Sequence, residues 1–184
     1  MKRLETERLV LRPWQGSDLE DFYTYARNPL VGPAAGWKPH ENREESAEIL
    51  DLFMQEDETW ALQLTESGRV IGSVGLHKDS QRQGVNSKML GYVLAAEHWG
   101  KGLMTEAARA AIRYAFKEER LDVLAVNHYP ENGRSKRIIE KCGFVYEGTL
   151  RHARPIFDGT VKDICCYSML QSEYEAMIAN GNHE

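Results

Sequence analysis

The pattern of apolar and polar positions along this chain has two periods, which together predict a mixture of strands and helices. Alternation or short apolar runs typical of strands occur in seven segments: residues 9–13, 60–64, 70–76, 89–95 and 121–127, and the two stretches that flank Asp158-Gly159. Helical spacing occurs in four segments: residues 18–27, 42–55, 103–115 and 135–141. The order is β-α-α-β-β-β-α-β-α-β-β, which predicts an α/β fold with a strand-loop-helix-strand crossover between 89–95 and 121–127.

Size and composition narrow the class of protein. With 184 residues and 42% hydrophobic residues, the chain is long enough for one domain that spans residues 1–184. A formal net charge of -5 argues against a general nucleic-acid binder. No segment approaches the roughly 20 apolar residues of a membrane span, so we expect no membrane association. Three cysteines without metal-ligand spacing (Cys142, Cys165 and Cys166) favour a reducing, cytoplasmic location and no metal.

The segment WGKGL poses the main chemical question, because two glycines precede a strongly helical run. A strand that enters a glycine-rich turn and then a helix exposes backbone N–H groups suited to phosphate. A tight turn that needs positive φ is the simpler alternative. A dinucleotide-binding fold would require a third glycine where Thr105 stands, and a triphosphate-binding loop would require Gly-Lys-Ser/Thr where Leu103 follows Gly102. The remaining phosphate ligand is a diphosphate, which the loop would bind together with residues from elsewhere in the chain.

Three stretches carry a family resemblance: GYVLAAEHWGKGLMTEA, NHYPENGRSKRIIEKCGFVYEGTLR and DGTVKDICCYSML. In this order, and with the opening LETERLVLRPW, they resemble the GNAT acetyltransferase superfamily, specifically its RimJ/RimL-like branch of ribosomal-protein N-acetyltransferases. The resemblance covers nearly the whole chain. It implies a GNAT fold of the α/β (α+β) class, with a mixed central sheet of six to seven strands and about four flanking helices. A splayed strand pair, 89–95 and 121–127, would hold acyl-CoA.

The resemblance also implies the reaction and its first substrate. An acetyl group would pass from acetyl-CoA to a primary amine by direct attack, without a metal, and the acceptor would be a protein N-terminal amine or a small-molecule amine. The positions that match cofactor-binding positions of the family are Val93, Leu94, Trp99, Gly100, Lys101, Gly102, Leu103, Met104, Thr105, Asn127, Asn132 and Ser135. Residues 98–141 carry nine Lys/Arg against six Asp/Glu, which suits an anionic ligand.

Three catalytic roles follow from the same resemblance. A backbone N–H at Leu94, or its neighbour Val93, would face the oxyanion. Ser135 would protonate the thiolate, because the tyrosine that many members use is replaced by Ile139. Alternatively, Asn132 and Ser135 simply cap the helix at 135–141.

The base is the least defined of these roles, because Met89 stands close to where related proteins often have glutamate. His77, which ends the preceding strand, is a candidate base because an imidazole near the thioester could accept a proton at neutral pH. A structural histidine or a chain of waters is the alternative.

Substrate choice is expected to reside in residues 28–40, a proline-rich loop in which Trp37 would wall the acceptor site or anchor the loop. Tyr92 is predicted on the same substrate side. The expected partners are acetyl-CoA and an amine, without nucleic acid or membrane, and exposed sheet edges allow a homodimer. A non-catalytic module that binds acyl-CoA is the alternative function, since the usual tyrosine and glutamate are missing.

Overall fold

The computed structural model describes residues 1–181, and these form eight strands and six α-helices. The strands are β1 (Leu4–Glu5), β2 (Leu9–Arg12), β3 (Thr59–Leu64), β4 (Val70–Lys78), β5 (Ser87–Leu94), β6 (Val123–His128), β7 (Val145–Pro155) and β8 (Val161–Leu170). The helices are α1 (Leu19–Ala26), α2 (Gly32–Ala35), α3 (Arg43–Glu56), α4 (Leu103–Lys117), α5 (Gly133–Lys141) and α6 (Gln171–Ala179).

All the strands belong to one sheet, in the order β1-β2-β3-β4-β5-β6-β8-β7. The pair β5 and β6 is parallel, and the other neighbouring pairs are antiparallel. A parallel pair needs a crossover, and here the crossover is the glycine loop and α4. The predicted strand-loop-helix-strand unit and the α/β fold class are therefore confirmed.

The predicted element counts were lower than those observed in residues 1–181. The additional strand β1 has two residues, too few for a visible alternation, and pairs with β2 through Leu4 and Leu11. The additional helix α2 is a single turn within the predicted proline-rich loop, where Pro33 is tolerated because it occupies the first helical turn. The helix α6, after β8, completes the set.

Helices cover both faces of the sheet. Against one face, α4 buries a row of small side chains that includes Ala107, Ala108, Ala111 and Ala115, each 0% exposed. Small residues let the helix axis approach the sheet closely, which fixes the start of α4 relative to β5. Against the other face, an aromatic cluster joins α1 and α3; its members include Trp14, Phe22, Tyr25 and Phe53.

Candidate active site

The two central strands separate where the candidate site begins. Residues 87–90 of β5 pair with residues 123–126 of β6, and the described pairing stops there, although β5 continues to Leu94 and β6 to His128. A cavity of about 830 Å³ extends from this wedge. The predicted splayed pair of strands is thus present at the level of backbone pairing.

The backbone of β5 presents its groups to this wedge alternately. The Ala95 N–H donates to Ile71 O (2.8 Å), and Val93 stands opposite Ser73 in the β4 register. Since main-chain groups of an antiparallel strand point alternately to either side, the N–H of Val93 faces β4 and that of Leu94 faces the wedge. The Leu94 carbonyl, which points the same way, accepts from Trp99 Nε1–H (2.8 Å). Leu94 is therefore the better placed of the two oxyanion candidates.

Both glycines of the loop before α4 have left-handed backbone conformations, with φ of +76° at Gly100 and +78° at Gly102. A Cβ on Gly100 would meet no heavy atom within 4 Å, so conformation rather than crowding requires glycine there. The Glu106 N–H donates to Gly102 O (3.1 Å) as α4 begins. Consequently, the N–H groups of residues 103–105 are those of a first helical turn, which lack an intrahelical acceptor.

A surface ion pair braces the same loop from outside. Arg8 donates from Nη1 to Lys101 O (3.0 Å) and from Nε to Glu106 Oε2 (2.7 Å). The pKa of Glu106 is lowered: burial opposes this shift, but hydrogen bonds from Thr6 and Arg8 outweigh it. Lys101 itself is exposed and does not line the cavity, unlike the other predicted site residues. Its contribution is a backbone carbonyl that anchors the loop.

A chain of hydrogen bonds joins β5, α5 and the acceptor-side loop. Asn132 caps α5, because its Oδ1 accepts from the Ser135 N–H (3.1 Å). Its Nδ2 donates to Ala34 O of α2 (3.0 Å). The hydroxyls of Ser135 and Tyr92 lie 2.8 Å apart. Ser135 is therefore held both as part of the capped turn and by a phenol.

Tyr92, predicted on the substrate side, lines the cavity. Its hydroxyl contacts α5, and burial raises its pKa well above the usual value, so the phenol stays protonated at neutral pH. Ile139, on the same helix, is buried in the core at 1% exposure. The Tyr92–Ser135 contact was missed in the sequence, although strand alternation places Tyr92 with Leu90 and Leu94 on the α4 side.

The predicted base and the predicted acceptor wall also line the cavity. His77 has Nδ1 3.7 Å from Glu58 Oε2. Trp37 packs beside His40, with ring centroids 5.2 Å apart, and a Cβ on Gly32 would come within 2.6 Å of the indole. Trp37 thus both anchors its loop and faces the cavity.

The electrostatics of the lining are one-sided. Within residues 1–181, the groups that line the cavity include no carboxylate, whereas the basic and histidine side chains are His77, Lys78, His98, His128, Arg134, Arg137, Lys141 and Arg154. Arg134 lies over the Trp99 ring at 3.9 Å. Asn127, another predicted residue, donates to Met89 Sδ (3.2 Å) at the wedge. The cavity favours an anionic ligand over a polycation.

The described part of the chain has neither a metal-binding cluster nor a helix that could span a membrane. Residues 1–181 contain no cluster of three or more His, Cys, Asp or Glu placed to hold a metal ion. Among the helices of the same residues, none is long and apolar enough to cross a membrane.

Comparisons with known proteins match this geometry. The acetyltransferase (GNAT) domain family matches residues 8–145. The uncharacterized N-acetyltransferase p20 of Bacillus licheniformis is 28% identical over 95% of this chain and 99% of its own. The ribosomal protein uS5 alanine N-acetyltransferase of Escherichia coli is 30% identical over 79% of either chain. A crystal structure of a GNAT-family acetyltransferase from Bacillus anthracis has a TM-score of 0.85 at 25% identity, and covers 94% of this chain and 100% of that one.

Proposed function

This chain belongs to the GNAT family of N-acetyltransferases, which use acetyl-CoA as co-substrate, and on that premise we propose that it transfers the acetyl group of acetyl-CoA to a primary amine by direct attack. One observation carries the proposal: the wedge between β5 and β6 opens into the cavity that the glycine loop borders. Main-chain donors of α4 and basic side chains of α5 together suit a pyrophosphate.

For this reaction the protein must stabilise an oxyanion, protonate a thiolate and accept a proton from the amine. The amine nitrogen bonds to the thioester carbon, the carbonyl oxygen becomes an oxyanion, and the C–S bond then breaks to release a thiolate. The Leu94 N–H would stabilise the oxyanion, because it faces the wedge. Its fixed position in a strand means that little reorganisation is needed as charge develops.

Ser135 would protonate the departing thiolate, and Tyr92 would hold and replenish that proton. The two hydroxyls are in hydrogen-bond contact at 2.8 Å, so the phenol can pass a proton to Ser135 as Ser135 gives its own to the thiolate. Together they supply the hydroxyl function that Ile139 cannot. The helix cap at Asn132 serves this arrangement by fixing the first turn of α5.

His77 would take the proton that the amine loses, which requires its imidazole to be neutral. Its ring lines the cavity from β4, on the sheet face opposite to Tyr92. The acid and the base would thus act from opposite faces of the sheet, on either side of the reacting carbonyl.

A protein N-terminal amine is the acceptor we favour. The Escherichia coli relative acts on an alanine of a ribosomal protein, according to its name. The cavity lining of the described residues has no carboxylate to bind the additional charges of a polyamine. A basic lining also lowers the cost of keeping the attacking amine neutral.

A binding module without turnover is the second candidate, because Ile139 stands where many members of the superfamily have a tyrosine. Calorimetric titration with acetyl-CoA, with NADPH and GTP as controls, tests the shared first step. Release of CoA thiol in the presence of Ala- or Ser-initiated peptides then separates the two candidates. Selective binding with thiol release supports the enzyme, binding without release across peptides and small amines supports the module, and no binding overturns both.

Three broader expectations remain proposals. We propose that residues 1–184 act as one domain and that the protein works in the cytoplasm, where Cys142, Cys165 and Cys166, which are free thiols in the structure, stay reduced. A homodimer is the third. Analytical ultracentrifugation measures the oligomeric state directly.

A further inference from the structure

We propose that Glu58 is a positioning residue for His77, whose carboxylate keeps the imidazole in the Nδ1–H tautomer and leaves Nε2 as the proton acceptor. The inference rests on the proposed acetyl transfer. It adds, to the proposed base His77, a second residue that orients the imidazole.

The two side chains meet across neighbouring strands. Glu58 directly precedes β3, and His77 lies near the end of β4, with Oε2 and Nδ1 3.7 Å apart. The Leu76 N–H donates to Glu58 O (2.9 Å), so a main-chain bond fixes the backbones beside both residues. Hydrogen bonds of catalytic groups are often long without substrate and shorten in the complex. The separation therefore suits a contact that tightens when the site fills.

Two glycines leave the space that the ring occupies. A Cβ on Gly75 would lie 2.5 Å from His77 Nε2, and one on Gly91 would lie 3.1 Å from the same atom. Neither glycine is among the residues of positive φ, so room for the ring, rather than backbone conformation, explains them. Any larger residue at these positions would push the imidazole away from β5. The Nε2 edge is therefore directed over the strand that carries Leu94.

The proton balance gives the carboxylate its role. As the N–C bond forms, the amine proton passes through cavity water to Nε2, since Gly91 lies about 10 Å along the strand from Leu94. The Nδ1–H stays in place, and the new imidazolium charge faces the Glu58 carboxylate. Without Glu58, the neutral ring regains its freedom to carry the proton on Nε2, where it blocks this transfer.

Nuclear magnetic resonance of ¹⁵N-histidine-labelled protein at pH 8 tests the tautomer without any substrate. The chain has 6 histidines, and the His77 signal is the one lost in His77→Gln. We expect the Nδ1–H form in the wild type and in Glu56→Ala, a control that removes a nearby exposed carboxylate, and a shift towards Nε2–H in Glu58→Ala. An Nε2–H form in the wild type, or the same tautomer in Glu58→Ala and the wild type, overturns the proposal.

Kinetics test the consequence for turnover. Glu58→Ala should lower kcat about tenfold with an unchanged KM for acetyl-CoA, as for loss of a residue that orients a catalytic group. Glu58→Gln should recover most of the rate, because its amide oxygen still accepts from Nδ1–H. In a His77→Ala background, Glu58→Ala should cost nothing further, and an equal loss in both backgrounds overturns the proposal. If no variant or wild type releases thiol, the proposed acetyl transfer fails, while the tautomer result stands separately.

Discussion

The proposed cofactor side and the proposed acceptor side of the cavity are built by different means. The cofactor side consists mainly of backbone: two left-handed glycines, the first turn of α4 and the end of β5 that is not paired with β6. The acceptor side consists mainly of side chains, in which Trp37 and His40 pack against the aromatic cluster of α1 and α3. A backbone site needs particular residues at particular positions, whereas a side-chain site can be rebuilt from many residues. Acceptor specificity can therefore change without loss of the cofactor site.

The largest expected effect comes from the backbone of the cofactor side. Gly102→Val places a β-branched residue at φ +78°, which strains the turn that presents the first N–H groups of α4. Its acetyl-CoA Kd should rise about 100-fold, equivalent to two charge-assisted hydrogen bonds of about 1.4 kcal/mol each. Calorimetry measures the change.

A matched control for Gly102→Val exists at Gly84, which has φ +72° and lies outside the cavity. A Cβ on Gly84 would meet no heavy atom within 4 Å, and one on Gly102 would meet only Arg8 Nη2, at 3.6 Å. Gly84→Val should lose comparable stability, about 1–3 kcal/mol, and keep the wild-type Kd. Equal affinities for the two folded variants would refute a phosphate role for the glycine loop.

The next effect concerns the hydroxyl pair that faces the wedge. Tyr92→Phe and Ser135→Ala should each lower kcat about 30-fold, within the lower range for general acid catalysis, and change the acetyl-CoA KM by less than about threefold. Tyr146→Phe is the control, because it removes a phenol paired with Thr149 (2.7 Å) on the exposed strand β7. The rate of thiol release at saturating substrate concentrations gives kcat. Wild-type turnover in Ser135→Ala would show that Ser135 only takes part in the helix cap and has no catalytic role.

A smaller effect should separate capping from the link between the two sides. Asn132 and Asn42 each cap a helix through Oδ1, but Asn132 also donates to Ala34 O. Replacement of either by alanine should cost about 1 kcal/mol of stability in urea unfolding. In contrast, the acceptor KM should rise several-fold only in Asn132→Ala and Asn132→Ser, since serine keeps a cap oxygen but lacks the amide donor. An unchanged acceptor KM in both variants would show that the link carries no function.

The smallest effect is a pH dependence of stability to which one histidine on each side contributes. Burial lowers the pKa of His40, and it does the same for His98 on the cofactor side. The unfolded state then binds protons at higher pH than the folded state, so the free energy of unfolding falls as pH drops from about 7 through the folded pKa. His40→Gln should show a smaller loss between pH 7.5 and 5.5 in urea titrations. If His40→Gln and the wild type lose the same free energy of unfolding, His40 is not the source of the pH dependence.

The fold and the local conformation of the glycine loop could be predicted from the sequence because both follow local rules. Gly100 and Gly102 before an alanine-rich helix predict a turn with positive φ, and an asparagine three residues before a helical amide predicts a cap, each from a short window of sequence. The family resemblance added the acetyltransferase assignment, which the comparisons confirm. The catalytic roles of Ser135, Leu94 and His77 remain predictions.

The contacts missed in the sequence join residues far apart along the chain. Tyr92 meets Ser135 across 43 positions, and Asn132 meets Ala34 across 98. No periodicity signals such pairs, since each depends on how two elements pack. The helix α2 was missed for a related reason, because a single turn that begins Gly-Pro has little intrinsic preference for helix and is stabilised by its surroundings.

Under the proposed function, the bridge from Asn132 to Ala34 would also set a thermodynamic relation between the two substrates. One carboxamide contacts both the turn that opens α5 and the loop on the acceptor side, so a ligand that orders one of them reduces the entropy lost when the other is ordered. Such coupling is reciprocal: the factor by which acetyl-CoA strengthens acceptor binding equals the factor by which the acceptor strengthens acetyl-CoA binding. Through this amide, the two proposed binding equilibria would share one free energy of coupling.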